Sequence, residues 1–167
     1  MHSEARGYLQ QLGTAYQNNP LGFVWEFAPV HEWWHNSRPG GNQQIGFLTF
    51  HRLVLLSFQR TFPGEVFPAD LQPDSLVPLS ALVSQSALEV NGVDSAKEFS
   101  TAIEGWHNGV HNALGGSFSD PVRNVHLLSF WRFHRFIDDQ FGRALQAWNL
   151  NFDQYVEQVS EEDQRDI

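Results

Sequence analysis

Histidine is the residue type in this chain that is best suited to chemistry, and its spacing is regular. The 167 residues contain eight histidines and no cysteine. Four of the histidines form pairs four residues apart, in the sequences HEWWH (31–35) and HNGVH (107–111). Because residues four apart lie on the same face of an α-helix, both imidazoles of a pair can reach one metal ion. In the absence of thiolates, any transition metal must be held by imidazole and carboxylate groups.

Each pair is followed by a later histidine in an apolar segment. His51 follows the first pair, and His126 and His134 follow the second. His51 and His134 lie among Phe, Trp and Leu residues, where burying an imidazole without a partner is costly. The pattern therefore predicts two sets of three histidines, one in each half of the chain, that converge in the centre of a four-helix bundle. The terminal His2 has no comparable context.

Three kinds of metal site fit parts of this pattern. HEWWH matches the H-E-x-x-H signature of zinc hydrolases, with Glu32 as general base, but that interpretation leaves HNGVH and His134 unexplained. Glu104 and His107 form one E-x-x-H motif, whereas a di-iron bundle needs two. All-imidazole ligation favours copper, and two facing three-histidine copper centres can bind dioxygen between them.

The apolar spacing predicts a mainly α fold with five helical segments. These are 4–18, 24–36, 45–62, 94–114 and about 120–147. Pro29 is expected to interrupt or kink the second segment, and Ser119-Asp120-Pro121 is expected to cap the start of the fifth. Closely spaced prolines predict an extended connecting loop over 63–93, between two halves that are each a helix pair.

Composition limits the class of protein. The chain is long enough for one domain, 1–167, and its 14% aromatic content argues against disorder. A net charge of −9 with a single lysine argues against a nucleic-acid or anionic-membrane partner. The chain has neither a long apolar run nor a basic start followed by an apolar one, which predicts a cytoplasmic protein, with export by a partner left open. A second copy of the chain could complete so small a core, so the oligomeric state also stays open.

The segment 106–139 resembles the second copper-binding region of the tyrosinase, catechol oxidase and haemocyanin superfamily. The family pattern there is HN-x-x-H, a GG pair, a DP and then F-W-x-x-H-x-x-x-D. This chain has these elements in order at His107-Asn108, His111, Gly115-Gly116, Asp120-Pro121, Phe130-Trp131, His134 and Asp138. The resemblance implies that His107, His111 and His134 bind the second copper. It also implies that Asp138, one turn after His134, positions that helix.

The segment GFLTFHRLVLLSFQR (46–60) resembles the first copper region, F-L-P-W-H-R-x-x-L-x-x-F-E-R, and implies His51 as the third ligand of that copper. Residues 49–50 are Thr-Phe where the family usually has Pro-Trp. The family's middle ligand usually lies nine residues before the third, where this chain has Asn42. An arrangement closer to that of the haemocyanins implies that the other two ligands are His31 and His35. Together the two regions, about 22–62 and about 94–147, would carry the two coppers.

The resemblance implies a dicopper oxidoreductase that uses O₂ to hydroxylate or oxidise a small phenolic substrate. Monophenols, catechols and o-aminophenols are the candidate substrates, and an o-quinone-type compound is the product. Asn108 with Glu104 or Glu98 would orient a water molecule that takes the phenolic proton, and a helper protein for copper loading is possible by analogy. A copper- or oxygen-binding protein without turnover, and a zinc hydrolase using HEWWH, are the alternatives.

Overall fold

The computed structural model describes residues 2–15, 19–36, 45–62 and 93–163, which contain helices and turns but no strand. The helices of these ranges are α1 His2–Ala15, α2 Pro20–Asn36, α3 Ile45–Thr61, α4 Val93–Leu114, α5 Leu128–Ala147 and α6 Phe152–Asp163. Two 3₁₀ turns, Gly116–Phe118 and Asn124–His126, lie between α4 and α5. The prediction of a mainly α fold is confirmed. The predicted proline-rich loop, 63–93, lies outside the described residues up to position 92.

Helix α2 runs through Pro29, so the proline does not interrupt it, and the kink stays a prediction. A proline inside a helix leaves the carbonyl four residues earlier without its donor, here that of Trp25. Pro29 and Trp25 are both exposed, so water can take the place of the missing donor. The two histidines of HEWWH therefore lie on a helix that continues directly from the apolar residues Phe23 and Phe27.

The connection between α4 and α5 differs from the predicted single helix over 120–147. Asp120 Oδ1 accepts hydrogen bonds from the backbone N–H groups of Val122 (2.9 Å) and Arg123 (3.2 Å), so its side chain stabilises a local turn instead of a helix start. Leu127 then has an extended backbone, and α5 begins only at Leu128. A side chain that satisfies nearby backbone donors competes with helix formation, which explains the error.

The core is largely aromatic and surrounds the histidines. Trp34 of α2 stacks on Phe50 of α3, with ring centroids 4.3 Å apart and planes 4° from parallel. Trp131 of α5 contacts Phe27 and Phe58, so the same core joins the two halves of the chain. Close packing of this kind fixes side-chain rotamers, which a metal site requires of its ligands.

Helix α1 covers α3 on the side away from the histidines. Leu9 and Leu12 are buried, and the Ser57 hydroxyl donates to the Leu9 carbonyl at 3.1 Å. A Cβ atom at Gly13 would lie 2.5 Å from Thr61 Oγ1, so the glycine permits the close approach of the two helices. None of the described helices combines the length and the apolar character needed to cross a membrane.

Candidate metal centre

A cluster of six histidines lies where four helices meet. Its members are His31 and His35 from α2, His51 from α3, His107 and His111 from α4, and His134 from α5. Five of the six are buried, with exposed fractions between 1% and 7%, and His35 is half-buried. Rings from the two halves of the chain face each other, as His35 and His107 do with centroids 6.1 Å apart.

Five of these imidazoles are held through the same ring atom. Each donates its Nδ1–H to an oxygen outside the cluster, which leaves the Nε2 lone pair for a metal. The donor–acceptor pairs are His31 with the Pro121 carbonyl (2.8 Å), His51 with the Phe47 carbonyl (2.9 Å), His107 with Asn108 Oδ1 (3.0 Å), His111 with the Phe118 carbonyl, and His134 with the Phe130 carbonyl (2.8 Å). A hydrogen bond from the second ring nitrogen to a carbonyl or amide oxygen is typical of metal-binding histidines.

The Nε2 atoms themselves lie close together. His107 Nε2 and His134 Nε2 are 3.0 Å apart, and both rings carry their proton on Nδ1. Two lone pairs therefore face each other in a buried site, an arrangement that a cation relieves. The Nε2 atoms of His51 and His111 are buried and have no hydrogen-bond partner in the described part of the chain. These unpaired acceptors fit a metal better than they fit an ordinary polar core.

Burial lowers the pKa of all six imidazoles. Desolvation is the largest cause in each case, and neighbouring imidazoles lower most of the pKa values further. The pKa of His35 falls to about 4, and so does that of His111. The cluster is therefore neutral at pH 7, and neutral imidazole is the form that binds metal.

Two triads within the cluster have nitrogen atoms close enough to share an ion. They are His31, His35 and His51, and then His51, His107 and His134, and the nitrogens of each triad lie within 4.8 Å of one another. The first triad is the predicted first set. The second contains His51 in place of the predicted His111, whose ring centroid lies 4.3 Å from that of His107 and 5.7 Å from that of His134. His51 thus lies between the two sets, and His111 lies at the edge of the second.

A glycine pair positions the carbonyl that holds His111. Gly115 and Gly116 have φ angles of 63° and 55°, which other residues rarely adopt. Their turn ends α4 and brings the chain back over the last turn of that helix, so that the Phe118 carbonyl accepts the His111 Nδ1–H. Gly115 and Gly116 therefore have a structural role in this chain.

Asp138 forms an ion pair with Arg52 beside the histidine cluster. Its Oδ1 lies 3.4 Å from Nη1 of Arg52, the residue after His51, and the two side chains are 7% and 21% exposed. Burial raises the pKa of the Asp138 carboxyl, and the Arg52 charge opposes that rise. The ion pair joins α3 to α5 beside His51 and one turn beyond His134, in keeping with a positioning role.

A cavity of about 280 Å³ reaches the histidine cluster from one side. The histidines in its wall are His35 from the first set and His107 and His111 from the second. Its other lining residues are Asn108, Asn112, Ser119, Pro121 and Asn124. A larger cavity of about 580 Å³ between α1, α3 and the start of α6 is lined by no histidine. Of these two cavities in the described part of the chain, the smaller one therefore gives access to the histidine cluster.

The other residues considered from the sequence, including His126, which was not expected to be a ligand, lie in different places. Asn108 lines the cavity, and its Oδ1 is engaged with His107. Glu104 is buried on α4 and is not part of the cavity wall, and the side chain of Glu98 lies outside the described part. Glu32 is exposed although His31 beside it is buried. His126 is exposed and packs against Trp25, away from the cluster.

Sequence reasoning missed the backbone carbonyls that hold the imidazoles, because a carbonyl has no side-chain signature. It also did not assign a function to Arg52 or Asn124. Arg52 could have been found from its place directly after His51 in the quoted motif. Asn124 lies in a connection that was predicted to be helical, so its approach to the site had no signal.

No protein-family model, curated protein or solved structure matches the chain. What the geometry defines is a helical protein with buried histidine triads that could hold metal ions.

Proposed function

We propose that this protein is a dicopper oxidoreductase of the tyrosinase-like class, with its ligands at the centre of a four-helix bundle. The first copper would be held by His31, His35 and His51, and the second by His107, His111 and His134. The observation that carries the proposal is the shared orientation of five of the six imidazoles, which are buried and held by Nδ1 so that Nε2 is available.

Copper fits the donor set better than other metals do. Both triads consist of imidazole alone, and no carboxylate joins either of them among the described residues. Imidazole sites prefer copper over other divalent first-row metals, and the cluster offers neither the thiolates of structural zinc sites nor the carboxylates of di-iron sites. When bound, copper would supply the one-electron and O₂ chemistry that protein side chains lack.

The protein itself would position the metal ions and enclose the histidine cluster. The held imidazoles fix where two metals can lie, and the aromatic core keeps water from the buried side of the cluster. The cavity gives a small aromatic substrate access to His35, His107 and His111. Asn108 borders this cavity and is the candidate for orienting the water molecule that takes the phenolic proton. That role for Glu104 or Glu98 stays a prediction.

The alternatives are less well supported. A zinc hydrolase using HEWWH needs Glu32 beside the metal, whereas Glu32 is exposed and outside both triads. A copper- or oxygen-binding protein without turnover needs no substrate cavity, whereas here a cavity reaches ligands of both sets.

The test is metal content combined with oxygen consumption. The purified chain is loaded with copper and desalted, and O₂ uptake is then measured with monophenols, catechols and o-aminophenols. Two copper ions per chain and uptake with at least one of these classes are expected. His134→Ala should lose the second copper and the activity, and His126→Ala, at an exposed histidine outside the cluster, should keep both coppers and the activity. Two coppers without uptake would favour the carrier, and a single zinc per chain would overturn the proposal.

A further inference from the structure

Helix α2 exposes a ridge of apolar side chains on the face that points away from the histidine cluster. Leu21, Trp25 and Trp33 are 71%, 67% and 61% exposed, and Pro29 between them is exposed as well. These four residues are spaced four apart, so they form one continuous ridge along the helix. The other side of α2 is buried in the aromatic core. A helix that is apolar on every side is normally buried on every side, so the ridge has the character of an interface.

Trp25 is the best-supported side chain of this ridge. Its ring packs on one side against His126, with centroids 4.4 Å apart. A side chain that is already oriented loses less conformational entropy when a partner packs against it. Pro29 also leaves the Trp25 carbonyl without its helical donor, so the ridge contains a backbone acceptor for a donor from outside the helix. The indole N–H of a tryptophan is such a donor.

The ridge is complementary to itself. When two copies of α2 pack antiparallel about a two-fold axis between Trp25 and Pro29, each Trp25 lies against Pro29 of the other copy. Each Trp33 then lies against Leu21, so large side chains meet smaller ones. The axis repeats every contact, as a symmetric interface between identical chains requires. The Trp25 carbonyl that lacks a helical donor lies beside Pro29, on the side where the indole of the other copy packs.

Charge is compatible with the same arrangement. The carboxylates of α2 are Glu26 and Glu32, and both are exposed. In the antiparallel pairing Glu32 falls opposite Gly22 and Glu26 falls opposite Ala28. Like charges therefore do not face each other across the axis.

The size of the ridge also fits an interface between two copies. Taking about 250 Å² for a whole tryptophan side chain, the exposed parts of Trp25 and Trp33 add up to about 300 Å². Two copies would bury about 600 Å² from tryptophan alone, which is half of the roughly 1,200 Å² at the lower limit of specific interfaces. Leu21, Pro29 and the polar rim would supply the remainder.

We propose that this ridge is the interface of a symmetric dimer, in which α2 packs antiparallel against α2 of a second copy of the chain. The dimer does not require bound copper, because none of the four ridge residues belongs to either histidine triad. Dimerisation would cover the exposed face of the helix that carries His31 and His35.

Sedimentation equilibrium of the full chain, with and without copper, tests the interface. The wild type should have the mass of a dimer at micromolar concentrations, and Trp25→Glu and Trp33→Glu should each weaken the association about tenfold or more. Leu114→Glu, which places the same charge on an exposed apolar residue of α4, should leave the association unchanged. Because each chain has a net charge of −9, added salt should tighten the dimer by screening the repulsion between the copies.

A pair of complementary variants tests the antiparallel register. Leu21→Lys and Trp33→Glu should each be monomeric alone, and an equimolar mixture of the two should form a dimer. In the mixed dimer the new positive and negative charges face each other, and the second contact between Trp33 and Leu21 remains native. A mixture that stays monomeric would overturn the proposed pairing.

Three further outcomes would overturn the dimer. The first is a wild type that stays monomeric up to millimolar concentrations, and the second is a dimer that Trp25→Glu and Trp33→Glu leave intact. The third is a monomer whose tryptophan fluorescence shifts to the blue with phosphatidylcholine vesicles, which would make the ridge a membrane-contact surface. An intact dimer that binds no copper and consumes no oxygen would support this proposal and reject the oxidoreductase.

Discussion

The imidazole rings of His51 and His134 stack with their centroids 4.7 Å apart and their planes 20° from parallel. His51 lies on α3 in the first half of the chain and His134 on α5 in the second. Each donates its Nδ1–H to the carbonyl four residues earlier in its own helix, that of Phe47 at 2.9 Å and that of Phe130 at 2.8 Å. In each half, the single histidine is therefore oriented by the same hydrogen bond to its own helix. The paired histidines are held by different partners.

Removing His111 should reduce the metal stoichiometry from two to one. Without His111, the second ion can bind only through His107, His134 and the shared His51, and the first set then lacks its third ligand. Copper per chain after desalting should fall to about one, and His126→Ala should remain at two. Retention of two tightly bound ions in His111→Ala would show that His111 is not a ligand.

Replacing His134 by leucine should stabilise the metal-free protein. The variant removes the facing lone pairs of His107 and His134, and leucine has a similar volume and suits the apolar surroundings. We expect the free energy of unfolding in urea to rise by roughly 1–2 kcal/mol without metal, as often happens when buried polar groups are replaced by well-packed apolar ones. Excess copper should stabilise the wild type more than the variant.

A matched change on the same helix serves as the control for that experiment. Phe133 packs against the histidine rings, but Phe133→Leu removes no imidazole nitrogen, so it should lower stability with and without metal. A metal-free His134→Leu protein that is less stable than Phe133→Leu would contradict the repulsion between the two Nε2 atoms.

The metal-free protein should lose stability as the pH falls from about 6.5 towards 4. The pKa values of the six imidazoles are lowered in the folded state, those of His35 and His111 to about 4, so in this window the unfolded chain binds protons that the native state does not. Each shift of this size corresponds to roughly 3 kcal/mol at the acid end. The raised pKa of Asp138 acts in the opposite direction, but it is one group against six.

Thermal unfolding between pH 4 and 8 checks this dependence. Tm should be nearly constant above pH 7 and should fall steeply below 6.5, and His134→Leu, which has one buried imidazole fewer, should show a shallower fall. A Tm that is flat from pH 7 to 4.5 would contradict the buried, neutral state of the cluster.

Alanine at Gly115 should weaken both folding and metal binding. The φ of 63° with ψ of −164° at this residue is essentially restricted to glycine, so we expect a loss of about 1–3 kcal/mol. Displacing the Phe118 carbonyl from His111 should also lower copper affinity about 10- to 100-fold, as loss of such supporting hydrogen bonds does elsewhere.

Gly105 is the matched control, since it lies within helix α4 where a Cβ atom would meet nothing within 4 Å. Gly105→Ala should be neutral or slightly stabilising in urea unfolding and should leave copper affinity unchanged. Equal behaviour of the two variants would mean that the turn at Gly115 does not support the site.

The sequence predicted correctly those features that lie within a single helix. Residues four apart share a helix face, so HEWWH and HNGVH could be recognised as pairs, and the apolar spacing located α3 and α4 to within a residue or two. The start of α5 was misplaced because the Asp120 side chain satisfies the backbone of its own turn, and local competition of this kind is hard to distinguish from a helix cap.

Features that depend on contacts between distant segments could not be read from the sequence. His51 belongs to both triads because of the way α3 lies between α2 and α5. The position of Asn124 depends on a connection that folds back over α4. Neither of them produces a periodic pattern, because each arises from tertiary packing of residues far apart in the chain.

The hydrogen bond from His31 Nδ1 to the Pro121 carbonyl spans 90 positions of the chain. A residue of the second half therefore helps to set the ring orientation of His31 in the first. An isolated first half would lack this hydrogen bond, and His31 would keep only the ring contacts of its own half. A nascent chain would acquire full metal affinity only after its second half had been synthesised and folded. If the proposed metal centre forms, metal binding would therefore follow the folding of the second half.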